Sequence, residues 1–161
     1  MNSAVPPYLL VAGALVVGLM VAQGDTTTPA PSATRGKHKS ASEVTLQRAA
    51  NGHFYADAEI NGSSVHVLAD TGASAIVLCE ADAEGAGIDP DTLDYTVPVS
   101  TSSGKTTAAE VTLDEVRIGP ILRRDVRGFV VKNINGSLLG MSFFNTLSGY
   151  EVSSDELVLK D

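Results

Sequence analysis

Along residues 52–60 the chain puts Phe54, Ala56, Ala58 and Ile60 on one side and Tyr55, Asp57 and Glu59 on the other. A period of two predicts a strand with one buried face. Asn61-Gly62 follows, and this dipeptide between two alternating runs predicts a tight hairpin, so residues 64–69 should fold back on their predecessor. Residues 43–47 read as an earlier strand and 75–78 as a short apolar one. EADAEGAG then suggests a short acidic helix closed by Gly85 or Gly87. After two turn-like acidic stretches, residues 95–100 and 106–113 form a second hairpin with the tip TSSGK, where Gly104 suits the turn. Strands at 116–118 and 126–131 follow, separated by a Gly119-Pro120 turn. LLGMSFFNTL leads into a short helix at about 142–147, and residues 150–152 and 157–159 form a last hairpin around SSDE. The prediction is a mostly-β domain with two small helices.

One position breaks the apolar pattern. In VHVLADTGASAIVL, residues 65–78, Asp70 enters the middle of an apolar run, which pauses at Thr71 and Gly72 before resuming. Burying an unpartnered carboxylate costs several kcal/mol, on the order of a large fraction of a domain's stability. Asp-Thr-Gly also makes an ordinary turn, since all three residue types are turn formers. The hairpin at Asn61-Gly62 nevertheless delivers Asp70 to a strand end.

The N-terminal pattern differs altogether. YLLVAGALVVGLMVA, from Tyr8 to Ala22, is continuously apolar or small, and the first charged residue is Asp25. The segment reads as directed to a membrane, either as an uncleaved transmembrane anchor or as a signal cut near Ala22-Gln23-Gly24; the absence of a basic leader favours the anchor. Residues 25–42, rich in Pro, Thr, Ser and Ala, read as a disordered linker. The organisation expected is therefore an anchor or signal over 1–24, a linker over 25–42 and a folded domain over 43–161. The linker's Arg35, Lys37 and Lys39 would lie in the cytoplasm by the positive-inside rule.

Charge and rare residues narrow the chemistry. The chain carries a formal charge of −8, and from Glu43 onward 18 acidic residues face 8 basic ones. That balance gives no support to a nucleic-acid surface. The single cysteine, Cys79, has no intrachain partner and reads as a half-buried residue near a helix start. The three histidines lack ligand spacing, so no metal and no cofactor is expected. His53 and His66 read as surface strand residues.

Ala69-Asp70-Thr71-Gly72-Ala73-Ser74 at a strand end, a Gly-containing hairpin about thirty residues on, and Leu138-Leu139-Gly140 running into a helix resemble the retropepsin-like aspartic proteases. GHFYADAEINGSSVHVLADTGAS, VTLDEVRIG and LLGMSFFNTL are similar to the bacterial, membrane-anchored, periplasmic members. The resemblance spans roughly 43–161. It implies a retropepsin-like acid-protease fold: a closed β-barrel-like lobe with a flap hairpin and short helices, working as a homodimer.

It also implies an aspartic endopeptidase acting on extended peptide or protein substrates of the envelope. Two carboxylates about 3 Å apart share one proton and serve as base and acid together, as is general in aspartic proteases. A single Asp-Thr-Gly then requires two copies, with Asp70 from each. In this picture Thr71 bonds across the two-fold axis and Gly72 permits close approach. Ala73 and Ser74 complete the loop, Ser74 either bonding near it or being solvated. Ser102, Ser103, Gly104 and Lys105 form the flap tip, with Lys105 itself an ordinary exposed residue. Leu138, Leu139 and Gly140 are scaffold beneath the loop. The resemblance places the domain in the periplasm, held at the inner membrane or secreted after cleavage, against the basic cluster of the linker. The alternative is a binding module of the same fold that holds extended segments of an envelope partner by strand addition.

Overall fold

The computed structural model describes residues 42–101 and 104–161. Their strands are β1 (Glu43–Gln47), β2 (Tyr55–Ile60), β3 (Ser63–Ala69), β4 (Ile76–Leu78), β5 (Val97–Thr101), β6 (Gly104–Ile118), β7 (Ile121–Val131), β8 (Ser137–Leu139), β9 (Gly149–Val152) and β10 (Glu156–Lys160). The helices are α1 (Glu80–Gly85) and α2 (Met141–Phe144), with one 3-10 turn at Pro90–Thr92. The domain is mostly β, as its alternation predicts.

The larger sheet runs β2-β3-β8-β4-β7-β6-β5. A second pairing of β2 with β6, at Glu59↔Arg117 and Ile60↔Val116, closes six of these strands into a barrel. That leaves β5 outside the ring as an arm on β6. A smaller antiparallel sheet, β1-β10-β9, joins the two ends of the described chain.

The β2–β3 hairpin forms as its turn residues require. Asn61 and Gly62 both adopt left-handed angles (φ 49° and 85°), the geometry of a two-residue turn matched to strand twist. Ala56, Ala58 and Ile60 face Val65 and Val67 in the core, and Asp57 and Glu59 face solvent. Ile60, Ile76, Leu78, Leu113, Ile118, Ile121, Leu139 and Phe143 fill the barrel. Each such side chain contributes roughly 1.5–3 kcal/mol by leaving water. The acidic helix closes at its C-terminal end through the Gly87 and Ile88 N–H groups, which donate to the Glu84 and Ala83 carbonyls at 3.0 and 2.9 Å.

Several boundaries differ from the sequence pattern for identifiable reasons. The stretches expected at 106–113 and 116–118 are one strand, and 126–131 is the end of another that starts at Ile121. Asp114 and Asp125 interrupt the apolar pattern and drop out of the register between Leu113↔Val126 and Glu115↔Arg124, but the ladder continues past them. Exposed carboxylates break a hydropathy pattern without breaking backbone pairing. Strand β2 starts at Tyr55 because Gly52 lies in a turn, its N–H donating to Ala49 O at 2.8 Å. Three residues in β8 are too few to show alternation.

The transmembrane helix is a correction. Among the described residues no helix is long and apolar enough to cross a membrane. The longest, α1, has 6 residues, about 9 Å of rise against a hydrocarbon core of about 30 Å. The apolar segment that prompted the expectation, residues 8–22, lies outside the described residues, as do the linker up to residue 41 and the hairpin-tip residues Ser102 and Ser103.

Candidate active site

Asp70 stands where three strands meet. Strand β3 runs parallel to β8, with Leu68↔Leu138 and Ala69↔Leu139, while β4 pairs β8 from the other side at Val77↔Leu138. The segment from Asp70 to Ala75 therefore leaves β3, passes over the end of β8 and enters β4. The apolar residues on either side of Asp70 are the two strands that flank β8, which explains why an acidic residue interrupts them.

The segment is held tightly from below. Asp70 N–H donates to Leu139 O at 3.0 Å, and Met141 N–H donates to Ala73 O at 2.8 Å. Within the turn, Ala73 N–H reaches Asp70 O at 3.2 Å and Gly72 N–H reaches Asp70 Oδ1 at 2.8 Å. The carboxylate is thus oriented by a backbone donor. Gly140 lies so near the loop that a Cβ there would sit 2.1 Å from Ala75 O. Only glycine permits that approach. Leu139 and Gly140 are buried under the loop, while Leu138 also reaches the cleft above.

Over this floor opens a cleft of about 700 Å³. Its walls are Val77 of β4, Pro98–Thr101 of β5, Phe129 and Val131 of β7, and the bend from Asn133 to Gly136. Among the described residues that line it, Asp70 is the sole one with an ionisable side chain. Gly72, Ala73 and Ser74 line it as well, whereas Thr71 is exposed in the loop.

The second hairpin reaches the cleft through one strand. Ser100 and Thr101 line it, and their register partners Lys105 and Gly104 on β6 do not. Thr101 Oγ1 donates to Gly104 O at 3.0 Å across the described base of the turn. Lys105 is exposed.

The apolar wall of Val99, Phe129, Val131 and Ile134 was missed at the sequence level. The one available signal is GFVV, residues 128–131, an apolar run without alternation that marks a strand covered on both faces. Neither histidine of the domain lines the cleft. His66 is exposed, with Nδ1 2.7 Å from Asp57 Oδ1 and its ring stacked on Tyr55 at 5.0 Å. Cys79 is half-buried at the start of α1, its thiol donating to Asp82 Oδ2 at 3.1 Å.

A closed barrel with an outlying hairpin over an Asp-Thr-Gly loop defines an acid-protease lobe. Residues 56–146 match the family described as "gag-polyprotein putative aspartyl protease", and the chain belongs to the retropepsin-like aspartic protease family. It is 36% identical to a retropepsin-like aspartic protease from Rickettsia conorii, with a TM-score of 0.69 over 74% of this chain and 91% of that one. A Sinorhizobium sp protein described as "Uncharacterized protein in cobV 5'region" is 46% identical over 121 residues, 74% of this chain and 52% of that protein. The chain spans about half the length of the curated relatives it matches. The EIAV protease complexed with the inhibitor HBY-793 shares the fold at 19% identity, with a TM-score of 0.52 over 62% of this chain and 91% of that one.

Proposed function

We propose that the chain is an aspartic endopeptidase that works as a homodimer, hydrolysing extended peptide segments with one Asp70 from each copy. The observation that carries this reading is that Asp70 is, among the described residues, the sole ionisable group lining an open cleft. Amide hydrolysis by this route needs a base to take a proton from water and an acid to protonate the leaving nitrogen. One carboxylate cannot hold both roles at once. Two facing copies share a single proton because like charges so close cannot both ionise. The unprotonated oxygen draws the proton from water, the water oxygen attacks the carbonyl, and the shared proton passes toward the nitrogen as the bond breaks.

Other features support the same arrangement. Thr71, exposed beside Asp70, offers a hydroxyl that both donates and accepts across a two-fold axis. The β5–β6 hairpin acts as the flap, closing over the substrate and excluding bulk water. The apolar wall takes the substrate's side chains. Envelope proteins met in the periplasm are the proposed substrates, on the strength of the similarity to periplasmic members. A reporter fused after Asp161 should then be active outside the cytoplasm alone, and a cytoplasmic signal would overturn that location.

The test of the chemistry is Asp70→Asn, which preserves shape and removes the titrating group. It should abolish cleavage of a peptide library while leaving the β-rich circular dichroism spectrum and melting temperature near wild type. Cleavage retained by the Asn form would move the site elsewhere. Peptide binding without cleavage by the wild-type dimer would favour the binding module instead.

A further inference from the structure

The loop that carries Asp70 is fastened to the segment behind it at residues 70, 73 and 76. Asp70 N–H meets Leu139 O and Met141 N–H meets Ala73 O, both between backbone groups. The third fastening is different in kind. Ile76 N–H donates to Ser142 Oγ at 2.9 Å, so here the loop depends on a side chain from α2. Ile76 is fully buried, and a buried donor that loses its acceptor is costly.

We propose that Ser142 is a positioning residue for the carboxylate pair, setting the exit of the loop and through it the place of Asp70. This rests on the reading of Asp70 as half of a two-chain dyad. The path is short and stiff. Ser142 holds Ile76 and Gly140 supports Ala75 from beneath, while Ala73 is tied both to Met141 behind it and to Asp70 in front. With contacts at Asp70, Ala73, Ala75 and Ile76, a shift at the exit is passed forward to the carboxylate. Ser142 does not line the cleft, so its effect on substrate contacts is indirect.

A change in carboxylate separation has a signature that lost stability lacks. Two carboxylates sharing a proton titrate in two steps, and the gap between the steps grows with their coupling. A loosened loop weakens the coupling. The acid limb of the pH–rate bell moves up and the basic limb moves down, narrowing the bell.

The experiment measures kcat, KM and the pH–rate bell of the full-length dimer with a cleavable peptide, per folded protein, for wild type, Ser142→Ala, Ser142→Thr and Asp70→Asn. Ser142→Ala should lower kcat about tenfold, as expected for a sub-ångström misplacement, with KM within about twofold and a narrowed bell. Ser142→Thr keeps the hydroxyl and should restore the wild-type bell. An Ala form whose bell and kcat per folded dimer equal wild type, with only its melting temperature lowered, would overturn the inference and leave Ser142 a packing residue. If the Ala form does not fold, Ser142→Cys, of similar size and with a weaker acceptor, takes its place with the same two outcomes. Activity in Asp70→Asn would overturn the dyad itself, and the positioning role with it; an inactive Asn form beside an unaltered Ser142→Ala bell would overturn positioning alone.

Discussion

Replacing Gly140 by alanine tests how the loop is supported, because the steric conflict can be read directly. The added methyl would stand 2.1 Å from Ala75 O, 2.6 Å from Ala75 C and 2.8 Å from Ala73 O. All three are backbone atoms with no side-chain torsion to absorb the push. Restoring ordinary contact requires the loop to lift by about 1 Å, which overpacks the site at a cost of roughly 1–3 kcal/mol. The same movement stretches the Met141 N–H to Ala73 O and Asp70 N–H to Leu139 O bonds, each worth about 1 kcal/mol. The total is roughly 3–5 kcal/mol, which for a domain of this size lowers the melting temperature on the order of 10–20 °C. Thermal melts followed by circular dichroism read the first effect, and peptide cleavage well below the melting point reads the displacement of Asp70. Gly85→Ala is the control: nothing lies within 4 Å of a Cβ at this helical position, so it should gain about 0.5–1 kcal/mol. A Gly140→Ala protein melting within about 2 °C of wild type and cleaving normally would refute the argument.

If each site takes one Asp70 from each chain, activity per chain should fall on dilution as dimers dissociate. Mixing equal amounts of wild type and Asp70→Ala, with subunit exchange shown independently, should lower activity per wild-type chain to about half, because about a quarter of the dimers then carry two carboxylates; undiminished activity would remove the shared dyad. The Glu110 carboxyl is held below its ordinary value of 4.5 by its hydrogen bond to Arg127, which also raises the guanidinium. A depressed folded value means that whatever the pair adds to stability is present above the ordinary glutamate value and is lost as pH falls through the folded one. A carboxyl NMR titration should therefore place Glu110 below ordinary glutamates and return it toward 4.5 in Arg127→Gln; a midpoint that does not move would remove Arg127 as the cause.

The legible part of this fold is the part encoded by neighbours in sequence. The Asn61-Gly62 turn, the alternation of Phe54 to Ile60 and the break at Asp70 are local signals, and together they place a carboxylate at a strand end. Leu138-Leu139-Gly140 drew notice through its resemblance to a family, yet the reason for a glycine at 140, a carbonyl from a loop more than sixty residues earlier, exists only in three dimensions. The cleft wall was illegible because Val99, Phe129 and Ile134 come from separate elements with no common spacing. Ser142 offered no signal at all: a serine in a short helix is unremarkable until Ile76 is found beside it. The apolar N-terminal run led to a spanning helix by composition alone, and no described helix is of that kind.

The pairing of β1 with β10, Glu43 with Lys160 and Gln47 with Glu156, and the parallel seam between β3 and β8 bear on the order in which the domain folds. Contacts of such sequence separation must bear the entropy of closing long loops before they return any stability, which places them late and makes folding slow. A nascent chain in which Asp70 and Thr71 have emerged, but residues 137–142 have not, has the acidic loop without the seam, the glycine or the hydroxyl that shape it. The local β2–β3 hairpin can close early, but the floor of the cleft waits for the last quarter of the chain. The topology itself thus keeps a partly made chain from presenting a finished site, with no separate inhibitory segment needed for that interval.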